Sequence, residues 1–271
     1  MASQNQQLRS TSLPVRPHAL VRELEDELHR LRSSSSAAAS SSSSSPATSS
    51  SSLADRLADA YGRVEELVGL PGGRDALSNP RWRGAVEASL ESSVSLLDLC
   101  ERARDAAASA KQHVRAAQRA VRRGDAAAAK AAVRCLAKAT KECSINSKKV
   151  KATAAAATET TAPAAVRVLS ECVAVTVAVL RCVTSSLSAR VQETATSKKS
   201  KWCVVSKILG SEWSLGGSLC DHLDGDGDGV LRAQEMLQEL DDSVESVENA
   251  LEHLFRRIVQ TRVALLNVLT L

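Results

Sequence analysis

The stretch VESVENALEHLFRRIVQTRVALLNVLTL, residues 244–271, decides the fold class. Large apolar side chains recur along it at alternating spacings of three and four residues, which is the pattern of a helix with one buried face. Thr261 stands within this row, and the apolar side chains beside the row widen it to the face of a bundle helix. We therefore predict a helix over about 234–269 with coiled-coil-like packing. The row is Val244, Val247, Leu251, Leu254, Ile258 and Leu265, widened by Phe255, Val259, Leu266 and Leu269.

The same helical periodicity recurs upstream. Only 2% of the residues are aromatic, and alanine, valine and leucine supply the apolar content, which favours long helices over sheets. The segment GLPGGR, 69–74, is predicted to stop a helix, and Gly124 and Asp125 suit a helix C-cap and the next N-cap. We predict helices over about 53–68, 80–122, 125–159, 164–195 and 199–209, the second burying Val86, Leu90, Val94, Leu97 and Cys100. The predicted fold class is all-α: an elongated antiparallel helical bundle.

Four regions follow from the composition. Residues 1–18 are polar and interrupted by proline, so we predict a disordered tail. Residues 19–32 form a short amphipathic helix by their leucine spacing. Residues 33–52, which are nearly all serine and alanine, contain no charge and no large apolar side chain, so we predict a disordered linker. Residues 53–271 are then the helical bundle domain.

Charge is distributed unevenly along the chain. Residues 101–151 contain fourteen lysines and arginines against four acidic residues, whereas residues 221–254 contain eleven acidic residues against one arginine. Both segments are expected to be solvated helix faces that attract one another. The alternative is a basic surface in 101–151 that contacts anionic membranes. Nucleic acid is not an expected partner, because no aromatic side chain in that segment could stack on bases.

Cysteine usage points to a reducing compartment. The seven cysteines are an odd number without a CxxC pair, and we predict that they are reduced core residues. No signal peptide is visible, and the most apolar run, residues 172–180, is too short to span a bilayer. We expect an intracellular, cytoplasmic protein without a transmembrane helix.

The segment DGDGDGVLRAQE, 224–235, has the spacing of an EF-hand calcium loop. Asp224, Asp226 and Asp228 occupy ligand positions 1, 3 and 5, Val230 would offer its carbonyl, and Glu235 is the twelfth residue. Arg at position 9, two glycines in the incoming segment and the lack of a second loop in the sequence count against the site. The alternative is an Asp/Gly-rich connection between helices that needs no metal.

The segment RSTSLP, 9–14, resembles a phosphoserine motif that 14-3-3 proteins bind. Arg9 precedes Ser12 by three residues, as basophilic kinases prefer, and Pro14 follows it by two. A phosphate on Ser12 would place about two negative charges in an extended segment. The alternative is a serine-rich tail without a partner.

Three segments together resemble a plant family. RSTSLPVRPHALVRELEDELHRLR (9–32) resembles the N-terminal signature of the plant-specific domain-of-unknown-function family 241, also called Bypass-like. LDLCERARDAAASAKQHVRAAQRAVRRGD (97–125) is similar to its central helix, and LFRRIVQTRVALLNVLTL (254–271) to its C-terminus. The resemblance implies a role in root and shoot development and no assigned reaction.

No pattern of catalytic residues is recognisable, and we do not expect an enzyme. The favoured function is that of a non-catalytic helical interaction or scaffold protein, linked by the resemblance to root and shoot development. One alternative is a calcium-responsive regulator that uses the loop at 224–235. A further alternative is a protein that associates with membranes through residues 101–151.

Overall fold

The protein consists of helices throughout the part of the chain that its computed structural model describes, residues 19–40, 50–142, 162–196 and 223–270. Within these ranges there is no strand, which confirms the predicted all-α class. The longest helix has 48 residues and therefore extends about 70 Å, so the bundle is elongated. The helices are α1 (Ala19–Ser40), α2 (Ser50–Gly69), α3 (Pro71–Ser78), α4 (Arg83–Arg122), α5 (Ala126–Glu142), α6 (Ala164–Thr196) and α7 (Leu223–Thr270).

Helices α4 and α7 run antiparallel along most of their lengths. The Cys100 thiol donates to the Leu251 carbonyl at 3.4 Å, and the Gln118 amide donates to the Leu237 carbonyl at 3.2 Å. Residues later in α4 therefore lie beside residues earlier in α7. Among the described helices, this pair forms the most extensive contact.

Helix α6 completes the central packing, together with α2. The Tyr61 hydroxyl of α2 is hydrogen-bonded to Thr176 of α6, and its carbonyl accepts from Thr261 of α7. Further along, Arg190 of α6 donates to Ser243 of α7. Residues 176 and 190 of α6 therefore lie beside residues 261 and 243 of α7, so these two helices are antiparallel.

The α7 row predicted from the sequence is buried. Leu251 and Leu254 have no exposed surface, and Thr261, the polar member of the row, is 3% exposed. Leucines, valines and alanines from α1, α2, α4, α5 and α6 complete one continuous core. The 3–4 spacing thus correctly identified the side of α7 that packs inside the bundle.

A tight turn joins α4 to α5. Gly124 has a φ of 72°, a conformation that glycine adopts without the steric penalty of a side chain. The Asp125 carboxylate then accepts a hydrogen bond from the Ala128 backbone N–H at 2.9 Å. Both predicted caps are confirmed, and α5 folds back onto α4. Residues 143–161, in which the predicted helix continued, lie outside the described residues.

The predicted Ser/Ala linker is shorter than expected. Helix α1 continues to Ser40 and α2 begins at Ser50, so residues 33–40 and 50–52 are helical. Alanine is the best helix former, and serine hydroxyls add local hydrogen bonds: Ser33 donates to the His29 carbonyl at 3.0 Å. These local interactions favour a helix even where large apolar side chains are absent. Residues 1–18 and 41–49 lie outside the described part.

A short helix, α3, follows the predicted helix stop. Helix α2 ends at Gly69 as expected, but Pro71 then begins α3 because its fixed φ suits the first helical turn. A Cβ placed on Gly73 would lie 1.9 Å from the Leu67 carbonyl oxygen. Only glycine permits this close approach of the two chain segments.

Candidate functional site

The acidic segment 224–235 belongs to helix α7, which begins at Leu223. The helix predicted over about 234–269 therefore begins eleven residues earlier than expected. Val230 and Ala233 pack against the core, so an earlier helix start buries apolar surface. The side chains of Asp224, Asp226 and Asp228 lie outside the described part of the structure.

The helical backbone is not the conformation that binds calcium in an EF-hand. Residues 224 and 235 are separated by eleven helical steps, about 16 Å along the axis, whereas one ion must contact both side chains. Leu231, at the apolar eighth position of the motif, is 58% exposed. Calcium binding would require the first three turns of α7 to unwind, and it stays a prediction.

The segment Arg9–Pro14 lies outside the described residues. Phosphorylation of Ser12 and recognition by a 14-3-3 protein therefore stay predictions. Within the described residues, no three His, Cys, Asp or Glu side chains lie close enough together to share a metal ion. None of the described helices is both long and apolar enough to cross a bilayer.

A row of ion pairs joins α4 to α7, and we call it the ionic seam. Its members are polar side chains on facing edges of two antiparallel helices, and the lysine at its centre is 19% exposed. The seam confirms that the basic and acidic segments attract one another. It pairs Arg104 with Glu252, Lys111 with Glu248 (2.9 Å) and Glu245 (3.7 Å), and Arg115 with Asp241 (3.3 Å) and Glu245 (3.7 Å).

Lys111 contacts two carboxylates of α7 within the seam. Its ammonium group donates to Glu248 at 2.9 Å, and this hydrogen bond raises the lysine pKa above its ordinary value. The charges of Glu248 and Glu245 act in the same direction, whereas partial burial and Arg115 oppose them. The lysine is thus stabilised in its charged form by α7.

The seam ends in an open cleft of about 240 Å³. Beyond Arg115, the groups that line the cleft from α7 are mainly amides, and the Gln118 amide reaches the Leu237 carbonyl there. Asp241 stands at the border: it is 7% exposed, and its Oδ1 has no hydrogen-bond partner within the described residues. The cleft is lined by Gln118, Arg122, Gln234, Glu235 and Gln238.

Seven further lysines and arginines follow the seam on α4, α5 and the turn between them, and the five nearest to the turn form one group. Four of the five are exposed, Lys130 is half-buried, and none of the five forms an ion pair within the described ranges. The acidic residue in the turn between the helices, Asp125, is used as a helix cap. These cations, which we call the hairpin basic surface, are Arg119, Arg122, Arg123, Lys130 and Arg134.

A small polar layer crosses the middle of the core. Thr176 donates to the Cys172 carbonyl at 2.6 Å, so the Tyr61 hydroxyl donates to Thr176, at 2.8 Å. Thr261 donates to the Tyr61 carbonyl at 3.3 Å. Burial raises the pKa of Tyr61 far above its ordinary value. The layer connects α2, α6 and α7 at one level and fixes their relative register.

The cysteines divide into two groups. Cys100, Cys172 and Cys182 are buried free thiols, which agrees with the prediction of reduced core residues. Burial raises the pKa of Cys100 to about 12, so its thiol stays protonated and unreactive at neutral pH. Cys135 is exposed on α5, where the prediction was wrong because none of the described helices covers that side of α5. The remaining three cysteines lie outside the described residues.

Apolar side chains are exposed where α4 begins and α7 ends. Arg262 of α7 donates to Ser93 of α4 at 2.7 Å, so these two positions face each other. In antiparallel helices, one step onward from a facing pair turns both chains to the same side, so Val94 and Val263 lie on the same side of the helix pair. They are 45% and 50% exposed, and Leu266, one turn after Arg262, is 40% exposed. We call these three side chains the apolar surface.

Comparison with protein families relates this architecture to known sequences. The family model described as Protein BPS1 matches residues 54–268, from the first turns of α2 to the end of α7. The chain belongs to the Protein BPS1 family. The resemblance to the Bypass-like family is thereby confirmed. No curated protein and no solved structure matches the chain.

Both surfaces of this BPS1-family chain lie in the matched range, and the apolar surface differs from what its sequence predicted. Val94 was predicted to be a core residue and Leu266 part of the bundle face, but both are largely exposed. Helical spacing identifies which residues share a face, but it does not reveal whether a neighbouring helix covers that face. The sequence contains a signal for the end of the ionic seam. Gln238 and Gln234 stand three and seven residues before Asp241, so amides replace carboxylates on that face of α7.

Proposed function

We propose that this protein is a non-catalytic helical interaction protein that acts in plant root and shoot development. Membership of the Protein BPS1 family supports the developmental part. The apolar surface supports the interaction part. A partner protein with its own apolar side chains would cover Val94, Val263 and Leu266 and remove them from water.

The position of the apolar surface favours a protein partner. Arg262 lies between α4 and α7 beside it, held by the Leu90 carbonyl and by Ser93. Exposed apolar groups beside a fixed, half-buried arginine resemble the centre and rim of a protein interface. The main-chain and side-chain bonds to Arg262 also keep this end of the two helices rigid, which lowers the entropy cost of binding.

The test compares partners of the native chain with those of Val263→Glu/Leu266→Glu. Both positions are exposed, so the fold should survive, whereas a charge would disrupt an apolar contact. The control is Ser246→Glu/Asn249→Glu, which adds the same charge at exposed polar positions of the same helix, more than three turns away from the apolar surface. Tagged versions would be expressed in a plant that carries the gene, and bound proteins quantified by mass spectrometry.

The proposal expects a set of proteins that the native chain and the control retain and that Val263→Glu/Leu266→Glu loses. The same variant should fail to restore root and shoot growth in plants that lack the gene, although its melting temperature is unchanged. Equal partners and equal restoration by all three versions would contradict a role for the apolar surface. Normal root and shoot growth without the gene would contradict the developmental role.

A further inference from the structure

We propose that the hairpin basic surface docks on anionic lipid bilayers. The surface comprises Arg119, Arg122 and Arg123 at the end of α4 with Lys130 and Arg134 on α5. It concerns a different face and a different kind of partner from the apolar surface, so it goes beyond the proposed function. It also narrows the basic segment 101–151 to five cations that form no ion pair within the described residues.

The ionic seam determines which cations remain available. Lys111 and Arg115 each contact two acidic side chains of α7, and Arg104 contacts Glu252. One turn further along α4, the facing edge of α7 has changed from carboxylates to amides. Among the residues that line the cleft there, Glu235 is the acidic one, and it stands beside Arg122.

The turn at Gly124 gathers these cations at one place. Arg119 precedes the turn by five residues, and Arg134 lies eight residues after the start of α5 at Ala126. All five cations therefore lie within about 15 Å of the turn along the helix axes. Lys130 and Arg134 are one helical turn apart on α5, beside the buried line of Ala129 and Val133.

The chemistry of the surface fits lipid headgroups better than nucleic acid or a folded protein. No aromatic side chain occurs in residues 101–151 to stack on a base. Ala127 and Ala131, the exposed alanines beside the cations on α5, are too small to anchor a folded protein. A cluster of four to eight lysines and arginines with little else is the feature that attracts an anionic leaflet.

The experiment measures co-sedimentation of the full chain with vesicles of phosphatidylcholine containing about 30% phosphatidylserine, at low salt. The decisive variant is Arg119→Gln/Arg123→Gln/Arg134→Gln. The matched control is Arg22→Gln/Arg63→Gln/Arg74→Gln, which removes the same charge from exposed positions on α1, α2 and α3. Circular dichroism melting of all three proteins establishes that each is folded.

We expect the native chain and the control to sediment with the anionic vesicles and to be released as salt rises. Neutral phosphatidylcholine vesicles should bind neither. Each cation near the membrane surface contributes about fivefold to the affinity. The decisive variant removes three, so its affinity for the vesicles should fall by about a hundredfold. Soluble glycerophosphoserine at the same headgroup concentration should not displace the protein, because a single headgroup engages few of the cations.

Other results would overturn the proposal. These are an absence of sedimentation of the native chain at low salt, an equal loss in the control, and unchanged binding in the decisive variant. Binding to a polyuridylate RNA or to a polyglutamate peptide that depends on the same three arginines, without vesicle binding, would assign the surface to that partner instead.

Discussion

Lys111 and Glu248 are 137 residues apart in the chain, and the lysine donates a hydrogen bond to the carboxylate at 2.9 Å. This contact lies at the centre of the ionic seam. It explains how a strongly basic and a strongly acidic segment coexist in one small bundle, since each neutralises part of the other. The net charge of +4 conceals this internal pairing.

The polar layer should contribute measurably to stability. Tyr61→Phe removes the hydroxyl that donates to Thr176, and we expect a loss of about 1 kcal/mol in the free energy of unfolding. Urea denaturation followed by circular dichroism measures the change. In the Thr176→Val background the same substitution should cost less, since the acceptor is already absent. An equal cost in both backgrounds would contradict a direct hydrogen bond.

Alkaline pH should destabilise the protein through its buried thiols. Burial raises the pKa of Cys100 from 9.0 to about 12, and those of Cys172 and Tyr61 are raised as well. A group whose pKa is higher when folded stabilises the fold fully below its unfolded pKa and loses that contribution as pH rises through the folded pKa. For Cys100, stability should therefore decline between pH 9 and 12.

Urea midpoints at pH 7.5, 9 and 10.5 measure this decline. The variant Cys100→Ala is less stable at every pH because it leaves a small void, but its loss between pH 9 and 10.5 should be smaller than that of the native chain. The same alkaline slope in both proteins would show that Cys100 does not titrate as its burial requires.

Calcium binding should be weak or absent while α7 keeps its helical start. The helix separates residues 224 and 235 by about 16 Å, so binding must first unwind helical turns. Calorimetric titration of the full chain should give no saturable heat below about 1 mM calcium, the weak end of known sites. Saturable binding that disappears in Glu235→Gln, together with loss of helical signal, would restore the calcium-regulator hypothesis.

Some features of the fold followed from the sequence because their causes are local. The row from Val244 to Leu265 is buried as its spacing indicates, and Gly124 and Asp125 form the expected caps. The helical extension of α1 to Ser40 has a local cause too, but the Ser/Ala composition of this segment predicted a disordered linker instead. Alanine propensity and serine hydrogen bonds outweigh the lack of apolar side chains there.

The two surfaces depend on which helices become neighbours. Unequal charge in two segments predicts attraction, but the register of α4 against α7 decides that Arg115 is paired and Arg119 is not. In the same way, Val94 and Leu97 share a helical face in the sequence, yet Leu97 packs against the core while Val94 is exposed. Which of two residues on one helical face is covered depends on how all the helices pack together, so the periodicity of a single helix does not predict it.

The most direct test of the ionic seam is a charge exchange between Lys111 and Glu248. Urea denaturation would be measured for Lys111→Glu, Glu248→Lys, the double variant and the native chain, at low and high salt. The single substitutions should each destabilise the fold, and the double variant should recover a coupling of about 0.5–1 kcal/mol that shrinks at high salt. Effects that add within about 0.3 kcal/mol, without salt dependence, would contradict the pairing of α4 with α7 through these charges.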